Sequence, residues 1–335
     1  MKQDAALAVN PRDIYVLQTY PEIASDGLSS VYHRVASLAP VVADSKHLSD
    51  ATVLVPGIPG LYLDRISANN RNVCYTTFES SQLPSHWTFA LNNNFAACCV
   101  PHESVRQVFT DSGVTIPVFV VQQGYNRFPV PRVTESTNQN FRVGFLGVPV
   151  VRKNLSLLFT ACKVLRDSGV NVQLVVHVPF YYDWMHNDNL ATIRESPFVE
   201  WTEGFKNQQQ LSDWFGSLAC YAFPSSGEGW SFTPRESLAL GIPTVVSDVP
   251  VHKELIDSEY VVAIKSSGSS AATMETSNSG SWCDIQCSDI RDALHTIVKD
   301  RQAALINARK GAKWIEHKWL NEDCCTQLQK VLTEL

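Results

Sequence analysis

The chain contains no apolar run approaching the roughly 20 residues that a bilayer-spanning helix requires. Its first residues, Met1, Lys2, Gln3 and Asp4, are polar and offer no signal-peptide core. Both absences predict a cytoplasmic protein with no transmembrane segment, leaving peripheral membrane contact open. A basic stripe is also missing. Net charge is −6 and Lys and Arg are scattered, which excludes a nucleic-acid partner, because phosphate-backbone binders concentrate cations on one face. Zinc spacing is absent from the nine cysteines: Cys98-Cys99 and Cys324-Cys325 are adjacent pairs, and only Cys283 and Cys287 form a loose candidate. They read as reduced, mostly buried thiols. No Asp-x-Asp clamp, Walker segment or GxGxxG occurs, and Ser225-Ser226-Gly227 lacks the flanking glycines of a nucleophile elbow. His86, His102, His177 and His252 have no spacing that suggests a metal or a triad. The sequence therefore predicts no metal and no cofactor. An extracellular solute-binding protein is disfavoured by the same features.

What is present is ordinary soluble composition, 44% hydrophobic and 18% charged, in a length of 335 residues that predicts two domains. Short apolar runs at Ile14 to Leu17, Ala51 to Val55, Val73 to Phe78, Phe95 to Val100 and Val118 to Val121 read as strands. Helical spacing over Glu103 to Asp111, and a helix from Ser29 or Ser30 to about Leu38 after an Asp26-Gly27 loop, alternate with them. The tract Arg127 to Asn140, polar and holding two prolines, interrupts the pattern as a linker. Alternation then restarts. Strands are predicted at Phe141 to Gly147, Val172 to Val178, Cys220 to Pro224 and Thr244 to Ser247. Helices are predicted from about Leu155 to Ser168-Gly169, over Leu211 to Leu218, and over Arg235 to Leu240 with Gly241 as the stop. Ser266 to Ser281, rich in Ser, Gly and Thr, reads as a mobile surface insertion. The tail from Ile290 reads as helices. Such alternation predicts α/β layers around parallel sheets, with domains over 1–130 and 141–315, a linker at 131–140, and a last helix over 316–335 that crosses back to the first domain.

Chemistry concentrates in Phe223 to Gly241, FPSSGEGWSFTPRESLALG. A strand enters a loop with Gly227 and Gly229, and the loop enters a helix, at the strand end where open α/β sheets bind ligands. Thr233 as N-cap, Pro234 and Glu236 mark the helix start. Its free amides and dipole suit a phosphate.

Glu228 and Glu236, with seven residues between them, make this segment resemble the Glu-x7-Glu motif of retaining GT-B glycosyltransferases, particularly the family 4-like group known as glycosyl transferases group 1. The resemblance covers most of residues 70 to 260 and implies two doubly wound, Rossmann-like domains facing across a cleft. It implies that Glu236 binds the ribose of a nucleotide-sugar donor and that Glu228 faces the transferred sugar. Gly229, Trp230, Ser231, Phe232 and Thr233 would cradle the diphosphate. VPVVRKN, after the strand Phe141 to Gly147, resembles the family's basic element: Lys153 matches the diphosphate-binding Lys. Val148 stands where the family's Arg usually lies, so Arg152 is its candidate substitute. CYTTFESSQLPSHW resembles a Thr-x-Glu-Ser-x-x-Leu-Pro subgroup and places Glu79 where relatives carry a pocket His. The family's glycine-rich first loop is reduced to Asp26-Gly27, which makes Gly27 the acceptor-side candidate. The implied activity is metal-independent, retaining transfer of a hexose to a hydroxyl acceptor, expected to be a carbohydrate. A GT-B epimerase or phosphorylase, and a binding protein that lost turnover, stay open as alternatives.

Overall fold

The protein is described by a computed structural model, which covers residues 13–20, 27–132, 140–180, 188–273 and 279–335. The first domain runs β1 (Ile14–Leu17), α1 (Gly27–Val35), β2 (Val41–Val42), β3 (Thr52–Pro56), β4 (Arg71–Tyr75), α2 (Ser85–Asn94), β5 (Ala97–Val100), α3 (Glu103–Asp111) and β6 (Val118–Val120). These strands form one parallel sheet in the order β2-β1-β3-β4-β5-β6. The runs TVLVP of β3 and ACCV of β5 are buried throughout, as expected of strands covered on both faces.

The second domain repeats the plan. It runs β7 (Phe141–Leu146), α4 (Leu155–Asp167), β8 (Val172–Val178), α5 (Asp188–Arg194), β9 (Val199–Glu203), α6 (Gln208–Gly216), β10 (Cys220–Phe223), α7 (Phe232–Ala239), β11 (Thr244–Ser247), α8 (Lys253–Asp257) and β12 (Val262–Ile264). A hairpin, β13 (Ser266–Ala271) and β14 (Ser281–Ile285), precedes α9 (Cys287–Lys299), α10 (Arg301–Ile315) and α11 (Asn321–Glu334). The second parallel sheet has the order β12-β11-β10-β7-β8-β9. Helix α4 shows how sequence makes layer: Leu155, Leu158, Ala161, Cys162 and Leu165 fall on one stripe and are all buried. Each fully buried leucine there contributes about 1.5–3 kcal/mol of transfer free energy. The helix stops at Ser168, where Gly169 adopts φ +95°.

Each sheet has a core on either face. Leu328 and Leu332 of α11 join the core of the first domain beside Val31 and Val35 of α1. Asn321, at the start of α11, donates through its side-chain amide to the Arg34 carbonyl at 3.4 Å. All nine cysteines are free thiols, six of them buried. Among the described residues, no helix is long and apolar enough to cross a membrane.

Two expectations change here. Helix α1 starts earlier and ends earlier than its spacing predicts, at Gly27 and Val35; Asp26 and most of the linker tract, 133–139, lie outside the described residues. The Ser-rich segment is a hairpin: Ser266–Ala271 pairs antiparallel with Ser281–Ile285, because buried Trp282 and Ile285 anchor the return strand. Residues 274–278 are outside the description. Thr202 lies in the edge strand β9, with its hydroxyl 2.9 Å from His177 Nδ1.

Candidate active site

In the second sheet β7 is flanked by β8 on one side and β10 on the other, with Cys220 and Tyr221 of β10 opposite Val143 and Gly144. The helices that follow β7 and β10, α4 and α7, pack on opposite faces of the sheet, so the loops leaving these two strands meet at its topological switch point, at the carboxyl edge where open α/β sheets bind ligands. Both loops carry the motif residues. Gly147 follows β7 at φ +148°, and a Cβ there would lie 2.9 Å from Lys153 Nζ. Asn154 adopts the left-handed conformation, and its side-chain amide donates to Pro224 O and Ser226 Oγ, both at 2.8 Å. Ser226 N donates to Arg152 O at 2.7 Å. The two loops are thus fastened together, and Arg152 and Glu228 are placed side by side.

Arg152 is the hub. Its Nη1 donates to the Gly227 carbonyl at 2.9 Å and to the Glu228 carboxylate. Its Nη2 reaches Glu79 Oε1, on the first domain, at 3.3 Å. The Ser225 hydroxyl donates to Glu228 Oε1 at 2.7 Å. Burial pushes the Glu228 carboxyl up, but Arg152, Lys153 and the Ser225 hydrogen bond outweigh it and hold the group below the usual carboxylate range. Glu228 therefore stays anionic. The Lys153 ammonium lies 5.7 Å from the Phe223 ring centroid, beside the same loop.

The second acid is paired differently. Glu236 is 5% exposed and accepts from Arg34 Nη2 of α1 at 3.2 Å. Arg34 also stacks on Phe232, 4.2 Å from its centroid, and donates to the Gly124 carbonyl. Burial raises the Glu236 carboxyl more than Arg34 lowers it, so it stands above the ordinary value. The two acids of the motif, eight positions apart in sequence, thus have opposite electrostatic settings.

The helix start departs from its sequence reading. Thr233 does not cap α7. The helix begins at Phe232, its N-cap is Ser231 at φ +71°, and no side chain caps it. The Thr233 hydroxyl instead accepts from Tyr221 Oη at 2.6 Å. Ser231 is held in its left-handed pose by His252, whose Nε2 lies 2.9 Å from Ser231 Oγ and whose Nδ1 lies 2.9 Å from the Ser247 carbonyl. A carbonyl can only accept, so Nδ1 carries the proton and Nε2 accepts from the Ser231 hydroxyl. Burial, aided by the Arg235 charge, lowers His252 to about 4 and keeps it neutral. Arg235, 1% exposed, donates to the carbonyls of Trp230, Ser231 and Val251. Its guanidinium lies 3.7 Å from the Trp230 ring centroid. Trp230 is a core residue, with its ring packed edge-on against Trp319.

The first domain sits directly on this loop. A Cβ on Gly229 would lie 1.6 Å from Thr77 Oγ1, and one on Gly227 would lie 2.2 Å from the Glu79 carbonyl oxygen. Both positions admit glycine alone because the domains approach through them. Gly27 begins α1, the helix that carries Arg34. The structure brings Glu79, Arg152, Glu228, Gly229 and Glu236 together at the interface and leaves Trp230 in the core. Arg34, Thr77, Arg235, His252 and Trp282 belong to the site and were not predicted. Two of them had a sequence signal: Arg235 stands inside the motif next to Glu236, and Thr77 opens the Thr-x-Glu-Ser-x-x-Leu-Pro pattern that holds Glu79.

Residues 140–276 match the family model of glycosyl transferases group 1. The match spans the second domain from β7 through β13 and takes in the loop with Glu228 and Glu236. No protein of curated function is significantly similar to the chain in sequence. Solved structures carry the fold across both domains. HepE of Anabaena, in complex with UDP-glucose, superposes with a TM-score of 0.73 at 11% identity, over 96% of this chain and all of that one. TarM of S. aureus gives 0.66 at 14% identity, over 91% of this chain. The chain spans only 57% of the length of TarM. The α,α-trehalose 6-phosphate synthase of Burkholderia multivorans gives 0.60 at 12% identity, over 84% of this chain and 71% of that one. The architecture is GT-B: two α/β domains with the group 1 loop of the second facing the first.

Proposed function

We propose that the chain is a glycosyltransferase that takes a sugar, expected to be a hexose, from a nucleoside diphosphate donor and passes it with retained anomeric configuration to a hydroxyl acceptor. One observation carries the reading: the two acids of the group 1 motif lie at the face shared by the domains, one anionic beside Arg152 and Lys153, the other at the start of α7. HepE was solved with UDP-glucose, so a uridine diphosphate sugar is the first donor to test.

In this proposal Glu236 accepts from the ribose hydroxyls, taking them in place of Arg34. The amides of residues 229–233 and the cations Arg152 and Lys153 receive the diphosphate. Because Gly229 lies against Thr77, the domains part to admit the donor and close again over it, which excludes water from the sugar. The acceptor oxygen bonds to the anomeric carbon as that carbon's bond to the diphosphate oxygen breaks. The acceptor proton passes to an oxygen of the departing diphosphate. Negative charge grows on the diphosphate, and preorganised cations there lower the barrier by about 3–4 kcal/mol per donor group. Glu228, held anionic, stabilises the positive charge that develops on the sugar. Protein cations and amides balance the phosphates in this scheme, so the reaction proceeds without a metal. The proposal includes a cytoplasmic location and a carbohydrate acceptor.

The test is a thermal-shift panel of UDP, GDP, ADP and TDP sugars, since a ligand that binds the native state raises apparent stability. It is followed by transfer assays with product configuration read by NMR, with and without chelator. One nucleotide class should stabilise the chain and donate its sugar, and Lys153→Ala should abolish both effects. Stabilisation without transfer to any acceptor favours a binding protein, and product formed without acceptor favours an epimerase. No stabilisation by any nucleotide overturns the reading.

A further inference from the structure

Glu79 reaches Arg152 across the domain boundary, and its loop is held from both domains. Phe78 and Leu83 on either side of it pack into the first-domain core, and a second anchor comes from the hairpin of the second domain. Trp282 Nε1, on β14, donates to the Glu79 carbonyl at 2.8 Å. The Trp282 ring fills the space beside Gly227, where a Cβ would lie 2.6 Å from its Cδ1. One residue further, Cys283 N donates to the Ser226 carbonyl at 2.9 Å. Two serines, 200 residues apart, bind each other alongside: Ser81 N donates to Ser281 O at 3.2 Å, and Ser281 N donates to Ser81 Oγ at 2.9 Å. Ser80 donates to the Ser279 carbonyl. A side chain on Gly280 would strike Gln82 N at 2.6 Å.

One indole therefore touches both strands of the ionic arrangement, the Glu79 peptide by a hydrogen bond and the Gly227 turn before Glu228 by its ring. We propose that Trp282 is a positioning residue: it fixes the separation of the Glu79 and Glu228 carboxylates on either side of Arg152. The inference rests on the transferase reading and extends it to a residue outside the family motif. Trp282 lies 7% exposed, so its ring is held by packing and its N–H bond to the Glu79 carbonyl sets the position of that peptide. A loop displaced by about 1 Å is enough to lower turnover strongly.

Hydrogen exchange on the full chain tests the anchoring without turnover. Trp282→Phe removes the N–H and keeps a ring; Trp282→Ala removes both. In both variants the amides of Ser81 and Ser281 should exchange faster, with α4 and α9 unchanged. Unchanged exchange at Ser81 overturns the proposal. Kinetics then separate positioning from mere support. Trp282→Phe should lower kcat for transfer roughly 5- to 10-fold, the loss expected for one hydrogen bond, with donor KM within twofold. In a Glu79→Gln background the same change should have less than a twofold effect, because the group it positions is already gone. Equal losses in both backgrounds overturn the role. A wild-type chain that transfers nothing from any nucleotide sugar overturns the transferase reading and this proposal with it, whereas intact transfer with an additive cycle removes the proposal alone.

Discussion

Arg34 of α1 and Glu236 of α7 lie 202 residues apart in sequence and meet at 3.2 Å across the two domains. Their side chains are 17% and 7% exposed, so the pair is largely dry. Removing one member of such a pair strands the other charge. The same arginine packs on Phe232, the first residue of α7. Glu236 and the helix start are therefore both covered by one side chain of the first domain.

Arg34→Met is expected to destabilise the chain, and the deficit should depend on pH in a defined direction. Glu236 is raised by burial and lowered again by Arg34. A raised acid contributes most stability below its unfolded value, near 4.5, and loses it as pH climbs through the folded value. Without Arg34 the folded value climbs further, so the Tm deficit should be smallest near pH 4.5 and grow toward pH 7. A deficit independent of pH would show that Arg34 acts only by packing. The same variant should bind UDP more tightly if arginine and ribose compete for Glu236, as calorimetry can read.

His252 predicts an acid-sensitive core. Its value is lowered from 6.5 to about 4 by burial and by Arg235. Below pH 6.5 the unfolded chain binds a proton that the native chain refuses, so stability is whole above 6.5 and is lost as pH falls toward 4. His252→Gln can keep the bonds to Ser247 and Ser231 and does not titrate. Urea melts at pH 7 and pH 5 should show a smaller pH effect in the variant by about 1–2 kcal/mol. His177, also lowered to about 4 by burial, supplies a residual slope in both proteins.

The motif acids should separate in kinetics. Glu236→Ala should weaken nucleotide binding about 10- to 100-fold, the loss of a charged hydrogen-bond acceptor. Glu228→Gln should lower kcat about 100- to 1,000-fold with near-normal nucleotide affinity, as for a group acting on transition-state charge. Equal effects of both changes on affinity would reverse these assignments.

Gly229→Ala tests the domain contact. A methyl group 1.6 Å from Thr77 Oγ1 cannot be accommodated, so the domains must separate locally. Small-angle scattering should show a larger radius of gyration and transfer should fall by at least tenfold, an effect typical of misplacement near the chemistry. Adding Thr77→Gly, which removes the obstructing side chain, should restore much of both. No recovery in the double variant would mean that the glycine is needed for its backbone and not for the contact.

The sequence by itself determined the layers and the motif. Buried strands are continuous apolar runs and α4 has a 3.6-residue stripe, so local spacing alone announces them. Glu228 and Glu236 share one loop and helix, and their pattern needs no distant partner to be seen. It misled where composition and geometry part: Thr233 has the residue type of a cap, but Ser231 takes the turn because His252 holds its hydroxyl. The Ser-rich tract looked like an unpaired insertion because its apolar anchors, Trp282 and Ile285, stand on the returning strand. Only the tertiary structure decided what faces the acids. Arg34 and Glu236, Glu79 and Arg152, and Trp282 and the Glu79 carbonyl are pairs separated by 202, 73 and 203 positions. Chain spacing sets periodicity over a few turns, while contacts at such separations arise from how two independently folded sheets dock, which no local period encodes.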